Sequence, residues 1–207
     1  MTNDRLSRRG VLTAGLATLV LAATPRDAQA TTLAEARTLV DAVAAELTSI
    51  VNSGGSIDQM IRRFDAVFDR FADLPVIARS VLGPVAREAS TSQLARFTEA
   101  YRGYLSRKYG RMLFGGYVGG QIAVTGAGTS GTVHSVQSVA QMQRRSGGTE
   151  RLDVVWQVST RSPQARFFNM IIDGVNFFAI EREEVPAMLD ARRGDLDRLI
   201  GDLPGLG

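Results

Sequence analysis

The apolar positions of this chain follow two different rhythms. From Thr32 to about Leu113 they recur every three to four residues, the period of a helix. Thr32-x-x-Glu35 is a capping-box pattern ahead of the stripe Leu33, Ala36, Val40, Val43, Leu47, Ile50, which Gly54-Gly55 ends. Ser56-x-x-Gln59 opens a second stripe with Met60, Phe64, Val67, Phe68 and Phe71. A short segment from Pro75 to Leu82 stops at Gly83-Pro84. Ser92 is the expected cap of a long helix from Gln93 to about Leu113, with Leu94, Phe97, Tyr101, Leu105 and Tyr109 on its apolar side.

Beyond Gly115–Gly120 the rhythm becomes alternating, the period of a strand. Ile122–Thr125, Thr132–Arg144, Arg151–Thr160, Arg166–Ile172 and Val175–Arg182 are the predicted strands. Ser146-Gly147-Gly148-Thr149 and Asp173-Gly174 are turn signals. In Arg151–Thr160, Leu152, Val154, Trp156 and Val158 share one face and Asp153, Gln157 and Ser159 the other. One apolar and one polar face indicate an antiparallel sheet. Two short helices follow, about Glu183–Arg193 and Asp195–Leu203, parted by Gly194. The expected class is α+β: helices packed on one face of a curved antiparallel sheet, with an apolar cavity between them.

The first thirty residues obey neither rhythm. Arg5, Arg8 and Arg9 precede an apolar run from Val11 to Ala23, and Ala28-Gln29-Ala30 supplies a small-x-small site. These are the parts of a cleaved export leader. The run is shorter than the ~20 residues that span a bilayer. Residues 1–30 are therefore read as a leader and 31–207 as one domain, working in the periplasm. Ser7-Arg8-Arg9-Gly10-Val11-Leu12 is similar to a twin-arginine motif, with Val11 where Phe is usual and Thr13 where Lys is common.

Composition changes this picture only by exclusion. Of 24 basic and 21 acidic residues, the leader holds Arg5, Arg8, Arg9 and Arg26 against Asp4 and Asp27, leaving 20 against 19. That balance offers nucleic acid no clustered basic surface. The absence of cysteine excludes thiol catalysis and cysteine-based metal sites. The single histidine, His134, has no second His or Cys to share a metal and no partnered nucleophile, so it reads as structural. Glu181, Glu183, Glu184, Asp195 and Asp197 lie near predicted helix starts, where carboxylates favour the helix dipole. Gly115-Gly116-Tyr117-Val118-Gly119-Gly120 follows a helix and leads into strands, the reverse of a phosphate loop, and reads as a flexible connector. Arg79, Arg87, Arg107 and Lys108 suit either a solvated surface or contact with a head group or partner. The Phe, Tyr and Met side chains fit an ordinary core or the lining of a cavity, and periodicity does not separate the two.

Two blocks carry a family resemblance. The first is Ala78-Arg79-Ser80-Val81-Leu82-Gly83 through Ala89-Ser90, then Gln93, Phe97, Tyr101, Leu105 and Tyr109. The second is Trp156, then Phe168-Asn169-Met170-Ile171-Ile172-Asp173-Gly174-Val175-Asn176, Glu183, and the ending Leu196–Leu203. Together, over roughly Ala34–Leu203, they resemble the MlaC family of periplasmic toluene-tolerance or ABC-transporter auxiliary proteins. The resemblance implies a phospholipid carrier that maintains outer-membrane lipid asymmetry and is not an enzyme. It implies acyl chains held in a hydrophobic cavity, no cofactor and no metal. The implied partners are an inner-membrane ABC transporter complex and an outer-membrane lipoprotein complex. On that reading Val81, Leu82, Tyr101, Leu105, Tyr109, Trp156, Phe168, Met170 and Ile172 are the candidate lipid-binding residues. The even positions of 166–172 are chosen because their face lacks Asn169. The chain departs from the family at Pro84-Val85-Ala86, where an aromatic pair is frequent, and at Phe168-Asn169, where Tyr-Asp is common. It also has Asn176 where Ser is common. The alternatives are a hopanoid-associated carrier of the same family, a small periplasmic enzyme, or an adaptor without lipid.

Overall fold

The computed structural model describes residues 30–207; the expected leader lies outside them. Helix α1 (Leu33–Val51) starts at the expected box: Thr32 Oγ1 accepts from the Glu35 N–H while the Glu35 carboxylate accepts from the Thr32 N–H. Ser56 and Gln59 repeat the arrangement ahead of α2 (Ile57–Phe71). Helix α3 (Leu74–Leu82) ends at Gly83, whose φ of 58° suits glycine. A single turn, α4 (Val85–Glu88), follows it.

The long helix α5 (Thr91–Gly116) is capped by Ser90, not by Ser92. Ser90-x-x-Gln93 is a third capping box, and Ser92 lies within the first turn. The glycine-rich stretch is not a connector either. Helix α5 runs through Gly116 and strand β1 (Tyr117–Ser130) begins at the next residue. The glycines serve closeness here: a Cβ on Gly120 would sit 2.6 Å from Met142 Sδ and 2.7 Å from the Gln141 carbonyl.

Strands β2 (Val133–Arg144), β3 (Thr149–Ser159), β4 (Phe167–Ile172) and β5 (Val175–Asn176) complete an antiparallel meander in the order β1-β2-β3-β4-β5. Register shifts between Val124 and Gly126 and between Gln157 and Val158 bend it. Val154, Trp156 and Val158 are buried against the helices as the alternation indicates, with Leu152 half-buried. The predicted strand Val175–Arg182 is almost wholly helix. After two residues of β5, α6 (Phe177–Asp190) begins, because the Asn176 side chain accepts from the Ala179 N–H at 3.0 Å and caps it. Helix α7 (Leu196–Asp202) is capped by Asp195 as expected, and Asp197 pairs with Arg96 on α5.

Helix α1 lies across β1 and β2, α2 packs on α5, and α3 and α6 close over β4. The core between these layers is continuous. His134 is structural: its Nδ1 meets Thr129 Oγ1 at 2.7 Å and its Nε2 meets the Thr31 carbonyl at 2.8 Å, tying the segment just ahead of α1 to the sheet. Among the described residues no helix is long and apolar enough to cross a membrane.

Candidate functional site

Where α5 and α6 approach β4, the core leaves a gap. Helix α5 carries aromatic and aliphatic residues four apart, Phe97, Tyr101, Leu105 and Tyr109, so one stripe faces inward. Phe97 and Tyr101 stack at 5.2 Å. Opposite them stand Phe168 and Met170 of β4 and Phe177 and Phe178 from the first turn of α6. A backbone bond from the Asp73 N–H to the Phe167 carbonyl at 2.8 Å fixes β4 against the α2–α3 junction. The cavity is about 40 Å³ and its wall is mostly apolar.

One charged group breaks that wall. Glu181 is 3% exposed. Its Oε2 accepts from Tyr101 Oη at 2.8 Å, and its Oε1 accepts from Tyr109 Oη at 2.5 Å and from Lys108 Nζ at 2.7 Å. Lys108, the only lysine in the chain, also donates to Glu184 Oε2, which accepts from Tyr104 Oη at 3.2 Å. The expectation that Glu181 and Glu184 serve a helix start is therefore wrong. They lie inside α6 and receive donors from α5.

Burial and the Glu181 charge push the Tyr101 and Tyr109 hydroxyls well above their ordinary range. Burial and the same charge lift Tyr104 to about 12, against the opposing pull of Lys108. For Lys108, burial works downward, but its bonds to Glu181 and Glu184 outweigh it and hold the ammonium charged. These groups keep their protons at neutral pH. They fasten one helix to another and do not resemble an activated nucleophile, whose pKa is lowered.

Outward from the cavity, a groove of about 740 Å³ runs between α5, α6 and the end of the sheet. Tyr109 and Phe177, edge to face at 5.0 Å, belong to both spaces and stand between them. The groove floor is apolar, with Leu113, Leu152, Ile172 and Ile180, and its lip exposes Met112 and Val175. Its rim is charged: Lys108, Arg144, Glu150, Asp173 and Glu184. Glu150 is held below the usual carboxylate range by hydrogen bonds from Arg144 and Tyr117.

Of the sequence candidates, Tyr101, Leu105, Tyr109, Phe168 and Met170 line the cavity, and Ile172 lines the groove. Val81, Leu82 and Trp156 lie in the packed core, with Trp156 Nε1 donating to Ser138 Oγ at 2.9 Å. The reason given for the even face of β4 does not hold. Asn169 is buried, bonding Gln157 and accepting from the Phe178 N–H at 3.1 Å, and it lines the cavity beside Phe168 and Met170. Phe177 and Phe178 escape the sequence reading because their apolar run beside the Asp173-Gly174 turn fits a strand as well as a helix. The signal that marks them is Asn176 as a helix cap. Arg107 donates to the Leu203 and Leu206 carbonyls and so pins the C-terminal turn, while Arg79 and Arg87 border a separate surface cleft. Among the described residues no three His, Cys, Asp or Glu gather as a metal site.

The model of a protein family described as "MlaC protein" matches residues 37–204. The fold is similar to that of a phospholipid-binding protein from Ralstonia solanacearum, solved in complex with a phospholipid. The two share 15% identity at a TM-score of 0.64, over 82% of this chain and 98% of the other. That identity establishes likeness of fold alone. No curated protein matches the chain.

Proposed function

The chain belongs to the MlaC family, and from that premise we propose that it is a periplasmic phospholipid carrier. In this reading the acyl chains lie in the space between α5, α6 and β4, and the head group stays at the groove. The observation that carries it is an apolar-walled cavity that shares Tyr109 and Phe177 with a larger, mostly apolar groove.

The physical need for such a space is large. Each methylene moved out of a dry environment into water costs about 0.8 kcal/mol, so two long chains cost roughly 20 kcal/mol or more. A carrier must offer an equally dry interior, and desolvation and shape suffice without covalent chemistry. The cavity's 40 Å³ is far below the ~300–1,000 Å³ of ligand-filled pockets. In this reading the chains enter as α5 and α6 separate. The Lys108, Tyr101 and Tyr109 bonds to Glu181 would then exchange for others. Residues 1–30 would direct export, and lipid would pass between an outer-membrane lipoprotein complex and an inner-membrane ABC transporter complex.

Native mass spectrometry of the purified protein, with extraction of bound lipid, tests the reading. Copurified phospholipid, or its uptake from vesicles, is the expected result. Protein that is lipid-free and takes none from vesicles contradicts it. Met170→Arg places a charge in the cavity wall and is expected to lower bound lipid severalfold while circular dichroism still reports a folded protein.

A further inference from the structure

Helix α6 consists of two unlike halves that meet at a proline. Pro186 lies inside the helix. It has no N–H, so the Arg182 carbonyl four residues earlier loses its helical partner, and the proline ring crowds that same carbonyl. Such positions are where helices bend.

The two halves are anchored by different chemistry. Around and beyond the proline, Val185 and Leu189 are 1% and 4% exposed. Arg192 then donates to the Met188 carbonyl and to Asp202 of α7, both at 2.8 Å. That end of α6 is rooted in the core. Ahead of the proline, Phe177, Phe178 and Ile180 are only half-buried, and the one buried residue of Phe177–Glu184 is the charged Glu181. This half is held by polar bonds instead. Glu181 and Glu184 accept from Tyr101, Tyr104, Lys108 and Tyr109 of α5, and the Phe178 N–H donates to Asn169 of β4. Water or another polar group can replace such bonds, so their net worth is small. Exposing a buried valine or leucine has no such compensation. At its other end the half is joined to β4 only through the two residue pairs of β5 and the turn at Asp173 and Gly174, with φ of 47° and 81°. Few buried apolar side chains and a short connection mark a segment that opens before its surroundings.

We propose that Phe177–Glu184 is the lid of the cavity, hinged at Pro186 and at the Asp173-Gly174 turn, with Glu181 as its catch on α5. Lifting it carries Phe177, Phe178 and Glu181 away from the cavity as one piece, while Val185–Asp190 stays in the core. A hinge needs only a few element-terminal or turn residues to absorb the backbone change. The inference rests on the carrier reading and names the part of the α5–α6 contact that gives way.

The chain has no cysteine, so pairs of spin labels on introduced cysteines report chosen distances. One label stands at Arg62→Cys on α2, which packs on α5. The second stands at Glu183→Cys, ahead of the proline, or at Asp190→Cys, beyond it; all three positions are exposed. Distances are compared between lipid-stripped protein and protein loaded from vesicles of phosphatidylethanolamine and phosphatidylglycerol. On loading, the 62–183 distance is expected to lengthen and the 62–190 distance to keep its value. Pro186→Ala, which restores the bond to the Arg182 carbonyl and couples the halves, is expected to slow lipid uptake severalfold without lowering the thermal midpoint. Loaded protein in which both distances shift alike, or neither shifts, overturns the lid and leaves the carrier reading standing. So does uptake by folded Pro186→Ala that is as fast as in the unaltered protein or faster. Protein that takes up no lipid overturns the carrier reading, and the lid with it.

Discussion

Glu181 decides how the two helices of the site are joined. A carboxylate this deep is tolerated only while its donors remain, and removing one partner of a buried pair costs about 3–5 kcal/mol. Glu181→Ala is therefore expected to lower the urea unfolding free energy by about 3 kcal/mol, whereas Glu181→Gln, which keeps an acceptor, costs less. The cluster also sets an alkaline limit. The folded protein retains protons on Tyr101, Tyr109, Tyr104 and Lys108 that the unfolded chain releases near pH 10. Their contribution is whole below that pH and falls as pH rises, for Tyr104 between about 10 and about 12. Urea midpoints measured from pH 8 to 12 are expected to decline above pH 10. The decline is expected to be shallower in Tyr101→Phe/Tyr109→Phe.

At the level of elements, local chemistry explains both what the sequence discloses and what it hides. Thr32-x-x-Glu35 and Ser56-x-x-Gln59 announce two helices because capping depends on residues only three apart. Ser90-x-x-Gln93 carries the same signal, and nearby Ser92 obscures it. Val175–Arg182 misleads because an apolar run beside a turn fits strand and helix alike, and the deciding contact is one side-chain bond from Asn176. Asn176→Ala is expected to cost about 1 kcal/mol in a thermal or urea melt. It also loosens the turn that holds Phe177 and Phe178, so faster lipid exchange between protein and vesicles is expected. Gly120→Ala is expected to cost more, about 1–3 kcal/mol, because its Cβ meets the backbone carbonyl of Gln141 as well as the Met142 sulfur.

Over the whole molecule, the α+β layering was legible from the change of rhythm near Gly115–Gly120, since each period reports one kind of buried face. The site was legible only along α5, where a stripe four residues apart has to point one way. The Glu181 cluster depends on contacts between residues 72 to 80 apart, which no local pattern records. Tyr109 and Phe177 line both the cavity and the groove, which makes the central claim specific: acyl chains part α5 from α6 and occupy the space beneath these two rings. A phospholipid with a photoactivatable group midway along its acyl chain, loaded from vesicles and irradiated, reports that location directly through peptide mass spectrometry. The account predicts adducts on Tyr101, Leu105, Phe168, Met170 and Phe178. Adducts confined to exposed apolar residues remote from the cavity lining, such as Ile57, Val76 and Val118, would contradict it.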